Sequence, residues 1–352
     1  MAKASSDKIP QPVELAEAVF AGDRRALARA LTLVESTRTD HQVLAAELME
    51  HLAPFSGTSI RIGISGVPGV GKSTFIEAFG KHLLGLGHRV AVLSVDPTSA
   101  LSGGSILGDK TRMPGLAREQ AAFIRPSPAG ATLGGVGRHT RESIVVCEAG
   151  GFDVVIVETV GVGQSETAVA DMTDMFLLLL LPDAGDELQG IKRGIVELAD
   201  VVLVNKADGA LATHAQRTAA EYANALRLIR PRSPHWKVPV GTCSALTGSG
   251  VGDVWSMVQD YRAAMGESGE LTARRAQQLG AWLWSEVSAH LIDALKADAR
   301  IKKRLPEIEQ LVFEGTLTPA AAARSLVEAF VEGGPAADSS SHAKSGGRAG
   351  DR

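Results

Sequence analysis

Three short clusters of residues have the types and spacing to handle a charged nucleotide. The first is Gly66-Val67-Pro68-Gly69-Val70-Gly71-Lys72-Ser73-Thr74. Its glycines let successive backbone N–H groups turn inward around a polyphosphate, Lys72 has the reach for the β and γ phosphates, and the Ser73 hydroxyl can ligate Mg2+. The second is Glu158, a carboxylate at the end of Val154-Val155-Ile156-Val157, with Gly161 three residues on, whose N–H can sense a γ phosphate. From the residues alone, Glu158 can either hold metal-bound water or activate the attacking water. The third is Asn205-Lys206-Ala207-Asp208. An ionised Asp208 can accept from both the N1–H and the exocyclic amine of guanine, a pair of donors that adenine does not offer together. Ser244, Ala245 and Leu246, after Cys243, fit a backbone contact to the guanine carbonyl and complete the nucleotide set.

Each cluster needs a rigid element behind it. Apolar, β-branched runs alternate with helical stretches from residue 59 onward: 60–65, 89–95, 152–157, 175–181, 201–204 and 238–242. Such alternation predicts an α/β fold, a mostly parallel sheet with helices on both faces and ligands at the carboxyl ends of the strands. The glycine-rich loop follows the first run and opens into a helix, whose positive N-terminus points at the same anion. After the second run, residues 96–113 form a polar stretch too long for a tight turn. It carries Asp96 and Asp109, oxygen donors of the kind Mg2+ takes directly or through water.

Outside this region the chain reads as helical. Residues 11–55 carry Val13, Ala16, Val19 and Phe20, then Leu27, Ala30 and Leu31, then Val43, Leu44, Leu48 and Leu52 at helical spacing, with Asp23 and Asp40 as expected N-caps. Residues 274–303 carry a broad stripe of Leu279, Trp282, Leu283, Val287, Leu291, Ile292 and Leu295, suited to a subunit interface, and a further helical pair follows to 330. The expected organisation is a helical extension over 1–56, a nucleotide domain over 57–265, a C-terminal helical region over 266–332, to which the resemblance given below adds dimerisation, and a disordered Gly/Ser-rich tail over 333–352. Arg138, His139 and Arg141 lie on an expected helix and read as a solvated face ahead of the alternative, a phosphate or partner contact.

Composition narrows the function classes. Lys and Arg total 36 against 40 Asp and Glu in 352 residues, so there is no global drive towards nucleic acid or an anionic membrane. The start lacks the apolar core of a signal peptide and the greasiest run, 175–181, is far too short for a span, so a cytoplasmic protein is expected. Cys147 and Cys243 are isolated and read as small buried hydrophobes.

Taken together, these stretches make the chain resemble the methylmalonyl-CoA mutase-associated GTPases, the MeaB/ArgK family of P-loop G proteins, from about residue 21 to about 330. The most specific parts are Val95-Asp96-Pro97-Thr98-Ser99 leading into 103–113, the run 158–166, and Gly185-Asp186-Glu187-Leu188-Gln189-Gly190-Ile191-Lys192. The resemblance implies GTP hydrolysis coupled to chaperoning an adenosylcobalamin-dependent mutase, gating cofactor loading and protecting the enzyme from inactivation. It further implies that Asp96, Asp109 and Glu158 surround the magnesium, and that 186–192 is a switch responsive to nucleotide and partner. Lys192 would then act in catalysis when a partner orders that segment. A homodimer through the C-terminal helices is implied as well; whether an adenosyltransferase also binds is left open.

Two other classes compete. Family members have carried the description of a kinase for amino-acid (arginine/ornithine) transport proteins, and a P-loop permits phosphoryl transfer to protein. A metal-delivering GTPase would need clustered Cys or His, against which stand nine scattered His and two isolated Cys.

Overall fold

The computed structural model describes residues 11–96, 113–128, 135–159, 165–182 and 193–332. Three helices lead: α1 (Pro12–Phe20), α2 (Arg24–Val34) and α3 (Thr39–Leu52). Asp23 caps α2, accepting from Arg25 N at 2.7 Å and Ala26 N at 3.2 Å, and the Ala26 N–H leads in holding its carboxyl below the usual range. Asp40 is not the cap expected of it. It sits within the first turn of α3 and pairs with the Arg38 guanidinium at 2.6 Å, where an acid still complements the helix dipole.

Seven described strands form one parallel sheet: β1 (Ile60–Gly66), β2 (Val90–Asp96), β3 (Ala122–Pro128), β4 (Val154–Thr159), β5 (Met175–Leu180), β6 (Val201–Val204) and β7 (Val240–Thr242), in the order β3-β2-β4-β1-β5-β6-β7. The loop-bearing strand β1 lies between β4 and β5, so the first two candidate clusters emerge from neighbouring strand ends. Helices α4 (Lys72–Gly85), α5 (Gly135–Ala149), α6 (Ser165–Ala170), α7 (Arg193–Leu198), α8 (Ala212–Leu226) and α9 (Val251–Glu267) connect and cover the strands. Burial on both faces explains the uninterrupted apolar runs: all six residues of β5 are buried. On one face Ile62, Ile156 and Leu177 share a core with Phe75 and Phe79 of α4 and Val254 of α9. On the other, Val155 and Val157 share a core with Ile144 of α5 and with Leu27, Leu31 and Leu48 of the leading helices.

Strand β3 has no counterpart among the runs read from sequence. It contains Pro126 and Pro128, which argue against a strand, but among the described strands it pairs only with β2, at the sheet edge, where a missing N–H donor costs no ladder bond.

After α9 come α10 (Glu270–Ala297), α11 (Ala299–Phe313) and α12 (Pro319–Glu332). The chain divides into two compact units, the first running to Trp282 and the second starting at Leu283. The first turns of α10 therefore belong with the sheet. Arg275 forks onto Asp174 (Nε to Oδ1 2.7 Å, Nη2 to Oδ2 2.6 Å), Arg274 reaches Asp200 and the hydroxyl of Tyr261, and Gln278 donates to Thr173 O. In the second unit, Asp298 caps α11, and Ile301, Ile308 and Ala322 are its buried apolar residues. No helix among the described residues is long and apolar enough to cross a membrane.

Candidate functional site

The loop at the end of β1 is built by backbone conformations that side chains would spoil. Gly71 has φ of 93°, and a Cβ there would lie 2.9 Å from Asn205 Nδ2; a Cβ on Gly66 would lie 2.5 Å from Leu179 O of β5. The chain enters α4 directly from Gly71, so the N–H groups and dipole of a 14-residue helix converge on the loop. Val70, fully buried, anchors the loop to the core, and Lys72 Nζ is held across it by Gly66 O at 2.7 Å and Val67 O at 3.4 Å.

Glu158, at the carboxyl end of β4, is 2% exposed, and Ser73 Oγ donates to its Oε1 at 3.1 Å. Parallel register explains the meeting: Glu158 lies beside Ile64 of β1 and Ser94 of β2, level with the strand end from which the loop departs. One residue on, Thr159 Oγ1 donates to Ser65 Oγ at 2.9 Å, a buried staple between β4 and β1 that sequence reading passed over. A hydroxyl closing an otherwise apolar strand, as Ser65 does, was the available signal. Glu158 and Ser73 thus meet at one point of the site. The donors gathered here are hydroxyl and carboxylate oxygens, the set that suits a hard divalent cation such as Mg2+. The side chain of Asp96 and the whole of Asp109, Gly161 and residues 186–192, including Lys192, lie outside the described residues.

The third cluster, 205–208, sits at the end of β6. Asn205 is 1% exposed and spans two loops: its Nδ2 donates to Val70 O at 2.8 Å, and its Oδ1 accepts from Ala245 N at 3.1 Å and from the Cys243 thiol at 3.7 Å. Lys206 takes a positive φ of 58°, rare for a residue with a side chain and a mark of a constrained turn. Asp208 accepts from Ser244 Oγ at 2.6 Å, and Ala207 N donates to Cys243 O. Residues 205–208 and 243–246 thus form one interlocked pair of loops against the phosphate loop. Leu246 is 81% exposed at its edge.

His139 departs from the solvated face expected of it: its Nδ1 lies 2.7 Å from Val34 O, joining α5 to α2. Both cysteines are buried as expected, with the Cys243 thiol pushed up to about 12 by burial.

A glycine-rich loop feeding a helix, a carboxylate on the neighbouring strand end and an N-K-x-D turn two strands away on a parallel sheet define a P-loop GTPase. The chain belongs to the family described as methylmalonyl Co-A mutase-associated GTPase MeaB, whose profile matches residues 27–300. A "Putative GTPase" of Caulobacter vibrioides is 55% identical over 312 residues, covering 89% of this chain and 95% of that one. The "Methylmalonic aciduria type A homolog, mitochondrial" of Mus musculus is 49% identical, covering 88% of this chain and 77% of that one. Among solved structures, that of a "LAO/AO transport system kinase" superposes with a TM-score of 0.71 at 38% identity, covering 93% of this chain and 100% of that one. The protein binds guanine nucleotide and hydrolyses GTP.

Proposed function

We propose that this GTPase chaperones an adenosylcobalamin-dependent methylmalonyl-CoA-type mutase, gating cofactor loading and protecting the enzyme. The observation that carries the reading is the match to a mutase-associated family over 27–300, a span that takes in all three nucleotide clusters. The mouse relative, named for methylmalonic aciduria, supports it.

Within the site, Gly66 to Thr74 would wrap the phosphates and Lys72 would neutralise the β and γ oxygens. Ser73 and Glu158, joined by Asp96 and Asp109 on the strength of sequence, would hold Mg2+, which when bound supplies charge neutralisation on the phosphates. Gly161 would report on the γ phosphate. Asp208 would read the guanine N1–H and amine, positioned by Ser244; Asn205 and Lys206 would fix the turn, and Ala245 and Leu246 would line the base.

Rate depends on order in the switch. P-loop GTPases without a positioned arginine turn over at roughly 10⁻⁴ to 10⁻³ per second, and a partner that supplies the missing cation can raise this by ~10³ to 10⁵. The mutase would act on the 186–192 switch and bring Lys192 to the phosphates. Single-turnover hydrolysis with and without an acyl-CoA mutase tests this: wild type should accelerate, and Lys192→Ala should keep basal turnover while losing much of the acceleration. Equal stimulation of both forms places the switch elsewhere.

The second unit would supply a homodimer interface. Leu283, Trp284, Leu291 and Ile292 of α10 are each more than half exposed and form two adjacent pairs eight residues apart. Sedimentation equilibrium reads this directly, and a monomer at micromolar concentration refutes it. An adenosyltransferase as a further partner would show as co-sedimentation in the same experiment. The solved relative, named as a transport system kinase, favours one second reading, phosphoryl transfer to a protein linked to amino-acid (arginine/ornithine) transport. γ-Labelled GTP separates the two, since hydrolysis releases inorganic phosphate and a kinase leaves labelled protein.

A further inference from the structure

Away from the phosphate loop, the first unit carries a cavity of about 310 Å³ between the C-terminal ends of α7 and α8 and the loop that leads to β7. Its floor is apolar, formed by Val196, Ala223, Leu226, Ile229 and Trp236. Trp236 is fixed there because its indole N–H donates to Asp200 O at 2.7 Å, and Pro231 and Pro234 restrict the loop around it. The wall is charged in one sense. Arg227, Arg230, Arg232 and Lys237 line it against a single acid, Glu197, in a chain whose formal net charge is −4. Arg232 donates to Leu198 O at 2.9 Å, and all four cations, Arg227, Arg230, Arg232 and Lys237, are exposed to solvent.

We propose that this cavity is a binding site for a small amphipathic anion, a phosphate or carboxylate head on a short acyl or aryl body. The head would sit among the cations at the mouth, where guanidinium groups offer paired donors to planar or tetrahedral oxyanions, and the body would replace water on the apolar floor. The volume lies at the small end of the range for ligand pockets, so the occupant is smaller than a nucleotide and is not a second GTP. Nothing in the catalytic reading requires this cavity. Failure here would leave the mutase reading untouched, and failure of that reading would leave this one standing.

The test is calorimetric titration of hexyl phosphate into the full chain saturated with GDP, which blocks the phosphate loop. Saturable one-site binding is expected, with inorganic phosphate and hexanol each binding at least tenfold more weakly because each supplies only half of the recognition. Arg230→Glu and Lys237→Glu should each weaken hexyl phosphate about tenfold or more by reversing a charge facing the head. Ala223→Leu, which fills the floor without touching a charge, should weaken hexyl phosphate but not inorganic phosphate. Thermal melts and GDP affinity equal to wild type show that each variant is folded. Absence of binding, binding unchanged in all three variants, or equal affinity for inorganic phosphate overturns the proposal.

Discussion

Asn205 is the residue at which the structure makes its sharpest quantitative demand. Its amide joins the phosphate loop to the 243–246 loop, so truncation to alanine removes the partners of Val70 O and Ala245 N together. Val70 is fully buried and Ala245 nearly so. A buried backbone group left without its partner costs about 1–3 kcal/mol, so the two together come to roughly 2–5 kcal/mol after some relief from water entering the space left by the side chain. That is a large share of a stability of about 5–15 kcal/mol. Urea unfolding followed by tryptophan fluorescence measures it, and mant-GDP binding should weaken in parallel, because both loops that flank the nucleotide lose their shared anchor. A loss under about 1 kcal/mol would mean that these hydrogen bonds do not organise the site.

Asn205→Asp sharpens the test. It keeps an oxygen for Ala245 N but sets a second oxygen against Val70 O, and burial favours the neutral carboxyl, so its pKa should be raised. A protonated carboxyl can donate to Val70 O as the amide does. The defect should therefore be full at pH 8 and shrink relative to wild type as the pH falls through the raised pKa. A pH-independent difference between the two proteins would refute the assignment of donor and acceptor.

Other consequences are as direct. Lys72→Ala should abolish GTP hydrolysis in a phosphate-release assay with little change in the unfolding midpoint, since the ammonium contacts loop carbonyls rather than the core. Asp208→Asn should weaken GTP and favour xanthosine triphosphate, whose base replaces the amine with a carbonyl; competition binding reads this, and an unchanged preference for GTP removes Asp208 from base recognition. Arg275→Ala would strand Asp174, whose side chain is fully buried, and should destabilise the protein by ~3–5 kcal/mol in urea unfolding with nucleotide affinity preserved. The Cys243 thiol, moved by burial from 9.0 to about 12, should resist Ellman's reagent at pH 8 until the protein is unfolded. Its linkage has a definite sign: the fold favours the neutral thiol, so this contribution is complete below pH 9.0 and is lost as the pH rises towards about 12.

Much of the site was legible because its chemistry is local. The phosphate loop, the end of β4 and the N-K-x-D turn each occupy under ten consecutive residues, and each follows an apolar run whose burial the sheet requires. The six runs read as strands all lie in or overlap strands of the sheet, whereas β3 escaped because its prolines are tolerable only at an edge, and edge position is a property of the assembled sheet. Asp40 failed as a cap for a comparable reason: α3 begins at Thr39, and the carboxylate is taken by Arg38.

What no local pattern could supply is the connection between distant stretches. Asn205 and Val70 are 135 positions apart, and the side-chain amide that links them is indistinguishable in sequence from one that faces the base. The opposite end of the sheet shows the same logic with charge in place of glycine. Asp174 and Asp200 precede β5 and β6; Arg274 lies 74 positions beyond Asp200 and Arg275 lies 101 beyond Asp174. Once folded, Asp174 accepts from Arg61 N and from Arg275, while its carbonyl accepts from Tyr261 and Arg274. Buried charge of this kind contributes little net stability over an apolar packing but tolerates few alternative arrangements, because any other placement of the first turns of α10 would leave a carboxylate without its cation. The glycine-built end of the sheet therefore leaves room for a ligand. The charged end fixes where the first turns of the last long helix must lie.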